Sequence, residues 1–244
     1  MNQILINQKN PTEVLACAGM LALDVALFGQ EVTRCRFSKT ATEQRIDKEL
    51  CGMVFEFEHP DFAQLVDKCR ELTVKSEGTR VKLSRNGNVM PLDWFQFPFI
   101  GDSGNFSRTD KAAFVQRHLD VFKEHAIADR DIFGRLVAAT EPNFLSGMNL
   151  KKTFIDAGGV YEPANYVYPR ELFLIVALQL CQPMIVRALT KWRLQYSLCT
   201  RWTSFGSMVA ALSSKRHDSL SYVSKVKTFG KGKVLSVAQE DLSE

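Results

Sequence analysis

The chain has 244 residues, 45% of them hydrophobic and 24% charged, with a formal net charge of +4. That composition excludes a disordered polyelectrolyte and provides enough apolar surface for a substantial core in one large domain or two small ones. The charge is unevenly spread: residues 1–121 carry 15 basic and 16 acidic side chains, whereas residues 122–244 carry 16 and 11.

Taken in chain order, residues 3–6 (QILI) predict a short strand. Asn10 is suited to cap a helix, with Pro11 at its first position and Glu13 three residues after the cap, as in a capping box. The run VLACAGMLALDVALF is apolar apart from Asp24 and ends at Gly29, so this helix requires cover on most sides. Its small residues Ala16, Ala18, Gly19 and Ala22 suit close approach to a neighbouring element.

Residues 32–37 and 53–57 alternate in polarity and predict strands with charged side chains on one face. Residues 61–72, after Pro60, predict an amphipathic helix, and 79–83 with 89–95 predict a hairpin around Asn86-Gly87. A loop rich in Gly, Ser and aromatics occupies 96–108, and helices are expected over 109–123 and 129–139.

The second half opens with a loop (TEPNFLSGMN) and a strand-like KTFIDAGG. Pro169 starts an apolar helix, RELFLIVALQLC, which Pro183 closes; its longest apolar run, residues 172–180, is half a bilayer span and is interrupted by Gln179, as expected of a buried helix. Residues 191–202 alternate like a strand, 204–212 suit a helix, and 219–238 suit two strands joined by Gly230-Lys231-Gly232.

Strands and helices are intermixed without a regular βαβ rhythm. The expected class is α+β: a mixed, mostly antiparallel sheet with several packed helices, two of them strongly apolar. The expected division is an N-terminal part, 1–140, and a basic C-terminal part, 141–244, with one continuous domain as the alternative.

The six cysteines, at 17, 35, 51, 69, 181 and 199, have neither CxxC nor zinc spacing, and most sit in apolar or alternating runs. They are expected to be reduced, buried and structural. The N-terminal residues have no charged n-region or small-residue cleavage site, so a cytoplasmic protein without membrane attachment is expected.

Motifs for catalysis are weak. His59, His118, His125 and His217 are scattered, and His118 and His125 are seven apart, too far for a metal pair on one helix turn. No phosphate-loop or nucleophile-elbow pattern occurs; residues 101–104 (GDSG) resemble a phosphate cradle only in composition, and Ser103 and Ser207 lack a GxSxG elbow. Asp93 and Asp156 are candidates for a metal-dependent nuclease, but each is more simply a turn or capping acid. The expectation is a non-enzyme without cofactor or metal.

The stronger signal is charge. Residues 172–239 hold ten Lys and Arg against one acid, Asp218. Clustered cations attract polyanions, because neutralising phosphates releases condensed counterions. The candidate phosphate contacts are Arg187, Lys191, Arg193, Arg201, Lys215, Arg216, Lys225, Lys227, Lys231 and Lys233. Trp192, Tyr196 and Trp202 interleave with them and are candidates for base stacking.

The competing structural readings are equally concrete. Trp192, Leu194, Tyr196 and Leu198 fall on one strand face, which suits a core. The lysines around Gly230-Lys231-Gly232 suit an edge strand guarded against aggregation.

Four segments in order resemble a CRISPR-associated family. Residues 10–27 (NPTEVLACAGMLALDVAL) resemble its NPG-x-x-LACCGLLELA opening, and VMPLDWFQF at 89–97 resembles its LDWW strand. Residues 148–183 resemble a basic segment followed by D-x-GFSPD and YPAVELLALIGLQRFRP, and YSLCTRWTSFGSMVAAL at 196–212 resembles its Trp-containing strand and Ala-rich segment. The chain departs from the pattern in NFSRTDKAAF and in GGVYEP, where the family has a KTWAG-like segment and GFSPD.

The family is the divergent large-subunit-like group of type I-U (also called I-G) Cascade effector modules. The resemblance implies a non-catalytic subunit of an RNA-guided DNA-recognition complex. Its implied partners are guide RNA, target DNA, and the backbone and guide-handle-binding subunits of the complex. The alternatives from other classes are a scaffold that binds acidic protein partners and the metal-dependent nuclease.

Overall fold

The computed structural model describes residues 1–29, 34–46, 49–59, 64–77, 80–92, 111–125, 137–138, 166–167, 169–177, 185–188, 191–212, 219–229, 232–235 and 238–242. The fold is α+β, as expected. Strands β1 (Asn2–Ile6), β2 (Cys35–Ile46) and β3 (Glu49–Phe57) form a sheet in the order β1-β3-β2. Strands β4 (Thr73–Glu77), β5 (Arg80–Arg85) and β6 (Asn88–Leu92) form a second, in that order. A two-residue ladder pairs β7 (Val137–Ala138) with β8 (Tyr166–Val167).

The remaining sheet has β9 (Ile185–Ala188), β10 (Lys191–Cys199), β11 (Ser219–Phe229) and β12 (Gly232–Leu235) in the order β12-β11-β10-β9, with β13 (Gln239–Glu240) also on β11. Every pairing among the described residues is antiparallel.

Helix α1 (Pro11–Leu23) begins where the sequence places it. The Asn10 side chain accepts from the Thr12 N–H at 3.1 Å, and Pro11 occupies the first turn, where a missing N–H is harmless. Glu13 stands in the first turn, three residues after the cap. It accepts from the Asn7 backbone N–H at 2.8 Å and from the Asn10 amide at 3.3 Å, which locks the β1–α1 connection. The helix runs on through a π-helical turn, Asp24–Phe28, and ends at Gly29 with φ 65°. Only a residue without Cβ reaches that conformation without strain.

The stretch Pro11–Phe28 is long and apolar enough to cross a membrane, yet 83% of it is buried inside the protein. It is the central core helix. Helix α4 (Glu171–Ala177) packs against it so closely that a Cβ on Gly19 would lie 1.9 Å from the Phe173 carbonyl oxygen. Helices α2 (Leu65–Arg70) and α3 (Lys111–His125) complete this layer, with Phe122 edge-on to Phe173 at 5.3 Å.

The first sheet contributes Ile6, Phe37, Phe55 and Phe57 to the core, with Phe37–Phe55 and Phe55–Phe57 centroids 4.9 and 5.3 Å apart. Helix α5 (Phe205–Leu212) lies against β10, and its first turn is capped by Ser204, whose Oγ accepts from the Ser207 N–H. Cys35 and Thr203 exchange two backbone hydrogen bonds, of 2.8 and 3.0 Å. Residues before and after position 140 thus contribute to one contiguous buried cluster reaching from Ile6 to Ala238.

The Asn86-Gly87 hairpin forms with φ values of 47° and 85°, the left-handed pair that a tight two-residue turn needs. The expected helix over 129–139 is corrected at its end, because Val137 and Ala138 are strand residues paired with Val167 and Tyr166. Long-range ladder pairing outweighs local helix preference there. The expected strand at 32–37 continues far beyond its apolar part, to Ile46, with a register shift between Lys39 and Gln44. The loop at 96–108, the KTFIDAGG segment and the closing Pro183 lie outside the described residues.

Candidate nucleic-acid interface

Strand β10 is set by alternation. Leu194, Tyr196 and Leu198 are buried on one face, against the core. Tyr196 donates from Oη to the Gln8 carbonyl at 2.8 Å and stacks on Tyr222 with centroids 5.6 Å apart. Its ring is fully buried, so the candidate role in base stacking is corrected: Tyr196 is a core residue, and burial drives its phenol pKa well above the ordinary value. Trp192 has the same strand parity as Tyr196.

The other parity carries the cations. Register places Arg193 directly opposite Lys225, and both are exposed. Lys191 stands two positions before Arg193 and opposite Ala188; Lys227 stands two after Lys225 and opposite Val234. These four share one sheet parity. Arg187, opposite Trp192, and Lys233, opposite Thr228, have the other.

Arg201 is exposed in the bend after β10, while Lys215, Arg216 and Lys231 lie outside the described residues, as do Asp93, Asp156 and Ser103. Arg187, Lys191, Trp192, Lys227 and Lys233 are placed by strand register alone.

The cationic face is closed at one end and open at the other. Ser197 and Ser221 are buried and share a hydroxyl–hydroxyl hydrogen bond of 2.9 Å. Gln195 donates to Asp241 at 3.2 Å, and the Asp241 N–H bonds the Ser221 carbonyl at 2.7 Å. Exposure then rises through Val223 to Arg193 and Lys225.

In strand order β11 lies between β10 and β12, and β10 between β11 and β9. β10 pairs with β11 from Ser219 to Lys225, and β12 pairs with β11 from Val226 to Phe229. Arg193 is thus flanked by β9 and β11, whereas Lys233 lies on the end strand β12, where the edge-guarding role fits. Like charges set directly opposite each other across a ladder repel, and Arg193 and Lys225 are so placed.

Trp202 has protein partners for its ring. The Arg34 and Arg36 guanidinium groups lie 4.9 and 4.7 Å from its centroid. Arg34 bonds Glu58 at 2.7 Å, and Arg36 bonds Glu56. Burial alone would push the Glu56 carboxyl up, but hydrogen bonds from Arg36, Gln3 and Ser38, with the Arg36 charge, hold it below the usual range. This cluster joins the first sheet to the segment after β10, which makes Trp202 a structural clamp.

Two buried polar pairs escaped the sequence reading. Glu13 and Arg170 form an ion pair at 3.3 Å, with side chains 4% and 5% exposed. His59 Nε2 hydrogen-bonds Asp24 Oδ2, also in the interior. The Asn10-Pro11 cap and the YPRE segment mark two helix starts, but nothing local announces that they meet. Among the described residues no three His, Cys, Asp or Glu side chains gather to hold a metal. Cys17, Cys35, Cys51, Cys69 and Cys199 are buried free thiols.

No protein-family model, curated protein or solved structure matches the chain.

Proposed function

We propose that the chain is a non-catalytic, nucleic-acid-contacting subunit of a Cascade-like RNA-guided complex in the cytoplasm, and that the Arg193–Lys225 face of β10 and β11 meets phosphates. The observation that carries the phosphate assignment is the cross-strand pairing of two exposed cations, Arg193 on a strand flanked by β9 and β11 and Lys225 directly opposite it, where core packing does not call for them. An anionic backbone laid across the pair converts the repulsion into two charge-assisted contacts.

Residues two apart along a strand are spaced by about 6.8 Å. Lys191 with Arg193, and Lys225 with Lys227, therefore form two short cationic rows suited to successive phosphates of one strand. Such contacts position a nucleic acid without reading its bases; in an RNA-guided complex base pairing supplies the sequence information. The guide RNA, target DNA and neighbouring Cascade subunits come from the four ordered segment resemblances.

Co-purification tests the assembly. The chain, expressed with candidate neighbouring effector genes and a guide array, should elute with guide RNA and partner subunits. An RNA-free chain that stays outside an assembled complex contradicts the proposal.

A further inference from the structure

We infer that the outward face of the β4–β5–β6 sheet is a second phosphate-contacting surface, built on Lys75, Arg80 and Lys82. The inference stands beside the reading of β10 and β11 and needs no residue from it.

Alternation fixes which way this sheet faces. Val81, Leu83 and Leu92 are buried, so Arg80 and Lys82 stand on the opposite face of β5. Register sets Lys75 directly opposite Lys82 and Glu77 opposite Arg80. Lys75 and Arg80 are exposed, and Lys82 keeps 28% of its side chain in solvent. Thr73 and Ser84 add a pair of exposed hydroxyls, 2.8 Å apart, at one end of the face.

Protection of a sheet edge accounts for Lys75 on β4 but not for Lys82, because β5 is the central strand. Glu77 pairs with Lys82, but at 60% exposure this ion pair is weakly held and screened. The face carries three cations and one acid. Arg85 belongs to a different environment, bonded to Glu71 and set over the Phe28 ring. Lys75 on the end strand β4 and Lys82 on the central strand β5 thus repeat, in a second sheet, the cross-strand cation pairing of Arg193 with Lys225, and phosphates are a ligand class that both pairs suit.

The test measures the salt dependence of binding of a short oligouridylate and a duplex DNA to the full chain, Lys75→Ser/Lys82→Ser and Arg193→Ser/Lys225→Ser. Circular dichroism checks that the variants are folded. The expected result is a slope for the single strand lowered by roughly 1.4 units in Lys75→Ser/Lys82→Ser, two contacts at about 0.7 each. An unchanged slope in that folded variant overturns the inference and leaves the β10–β11 reading standing. A slope lowered there but unchanged in Arg193→Ser/Lys225→Ser supports the inference and overturns the other reading. Failure of the unmodified chain to bind either nucleic acid at low salt overturns both.

Discussion

The Glu13 carboxylate and the Arg170 guanidinium, 157 residues apart in sequence, meet as a buried ion pair at 3.3 Å. Glu13 sits in the first turn of α1 and Arg170 immediately before α4, so the pair joins the N-terminal ends of the two core helices. Removing one member leaves the other charged in a dry environment, which destabilises by about 3–5 kcal/mol. Arg170→Met should lower the denaturation midpoint accordingly, and Glu13→Leu/Arg170→Met should recover much of the loss. A double variant no better than the single would show that the pair's hydrogen-bonding role at the cap outweighs its charge balance.

The Gly19 contact sets the separation of the same two helices. A methyl at Gly19 would overlap the Phe173 carbonyl, which is backbone and has no alternative rotamer. Gly19→Ala normally gains helix propensity, but here overpacking should dominate and destabilise by about 1–3 kcal/mol or more. Thermal denaturation of the single variant decides which effect wins.

The buried acids-in-waiting give stability a definite dependence on alkaline pH. Burial pushes the Cys35 thiol up to about 12 and the Cys17 and Cys69 thiols upward as well. Burial likewise pushes the Tyr222 phenol to about 12 and Tyr196 upward. The folded state holds these protons where the unfolded chain releases them, so their contribution is complete below the unfolded values and disappears as pH rises through the folded ones. Stability should begin to fall above about pH 8.5, the ordinary thiol value, and continue to fall toward pH 12. At neutral pH, Cys17, Cys35 and Cys69 should resist a thiol reagent until denaturant is added.

Glu56 acts on the acid side with the opposite sign. Its lowered carboxyl pKa contributes stability present above the unfolded glutamate value and lost as pH falls through the folded one. Glu56→Gln should flatten the acid limb of the stability profile, read as the denaturation midpoint below pH 4.3, the ordinary glutamate region.

The strongly periodic and well-punctuated elements were legible in the sequence: β1, the Asn10 cap with Pro11, the Gly29 stop, the Asn86-Gly87 turn, α5 and the β11–β12 hairpin. Strand β4 was not, because TVKSE has a single apolar residue, Val74, and its identity as a strand comes from pairing with β5. The polar outer half of β2 escaped for the same reason.

At the candidate site the alternation of Leu194, Tyr196 and Leu198 was readable, but the interior position of β11 was not. Whether a lysine guards an edge or lines a paired face depends on which strand arrives beside it. The partners of Trp202 come from positions 34 and 36, joined through the Cys35–Thr203 bridge, a contact with no local signature.

Arg193 and Lys225, directly opposite on β10 and β11, are the residues at which a binding role is most directly separated from a structural one. Lys225→Thr should leave the fold intact, as read by circular dichroism. The decisive measurement is the salt dependence of RNA binding by the unmodified chain and by folded Arg193→Ser/Lys225→Ser. Phosphate contact by both residues lowers the slope by roughly 1.4 units for a single strand, whatever its base sequence. An unchanged slope and affinity would contradict it.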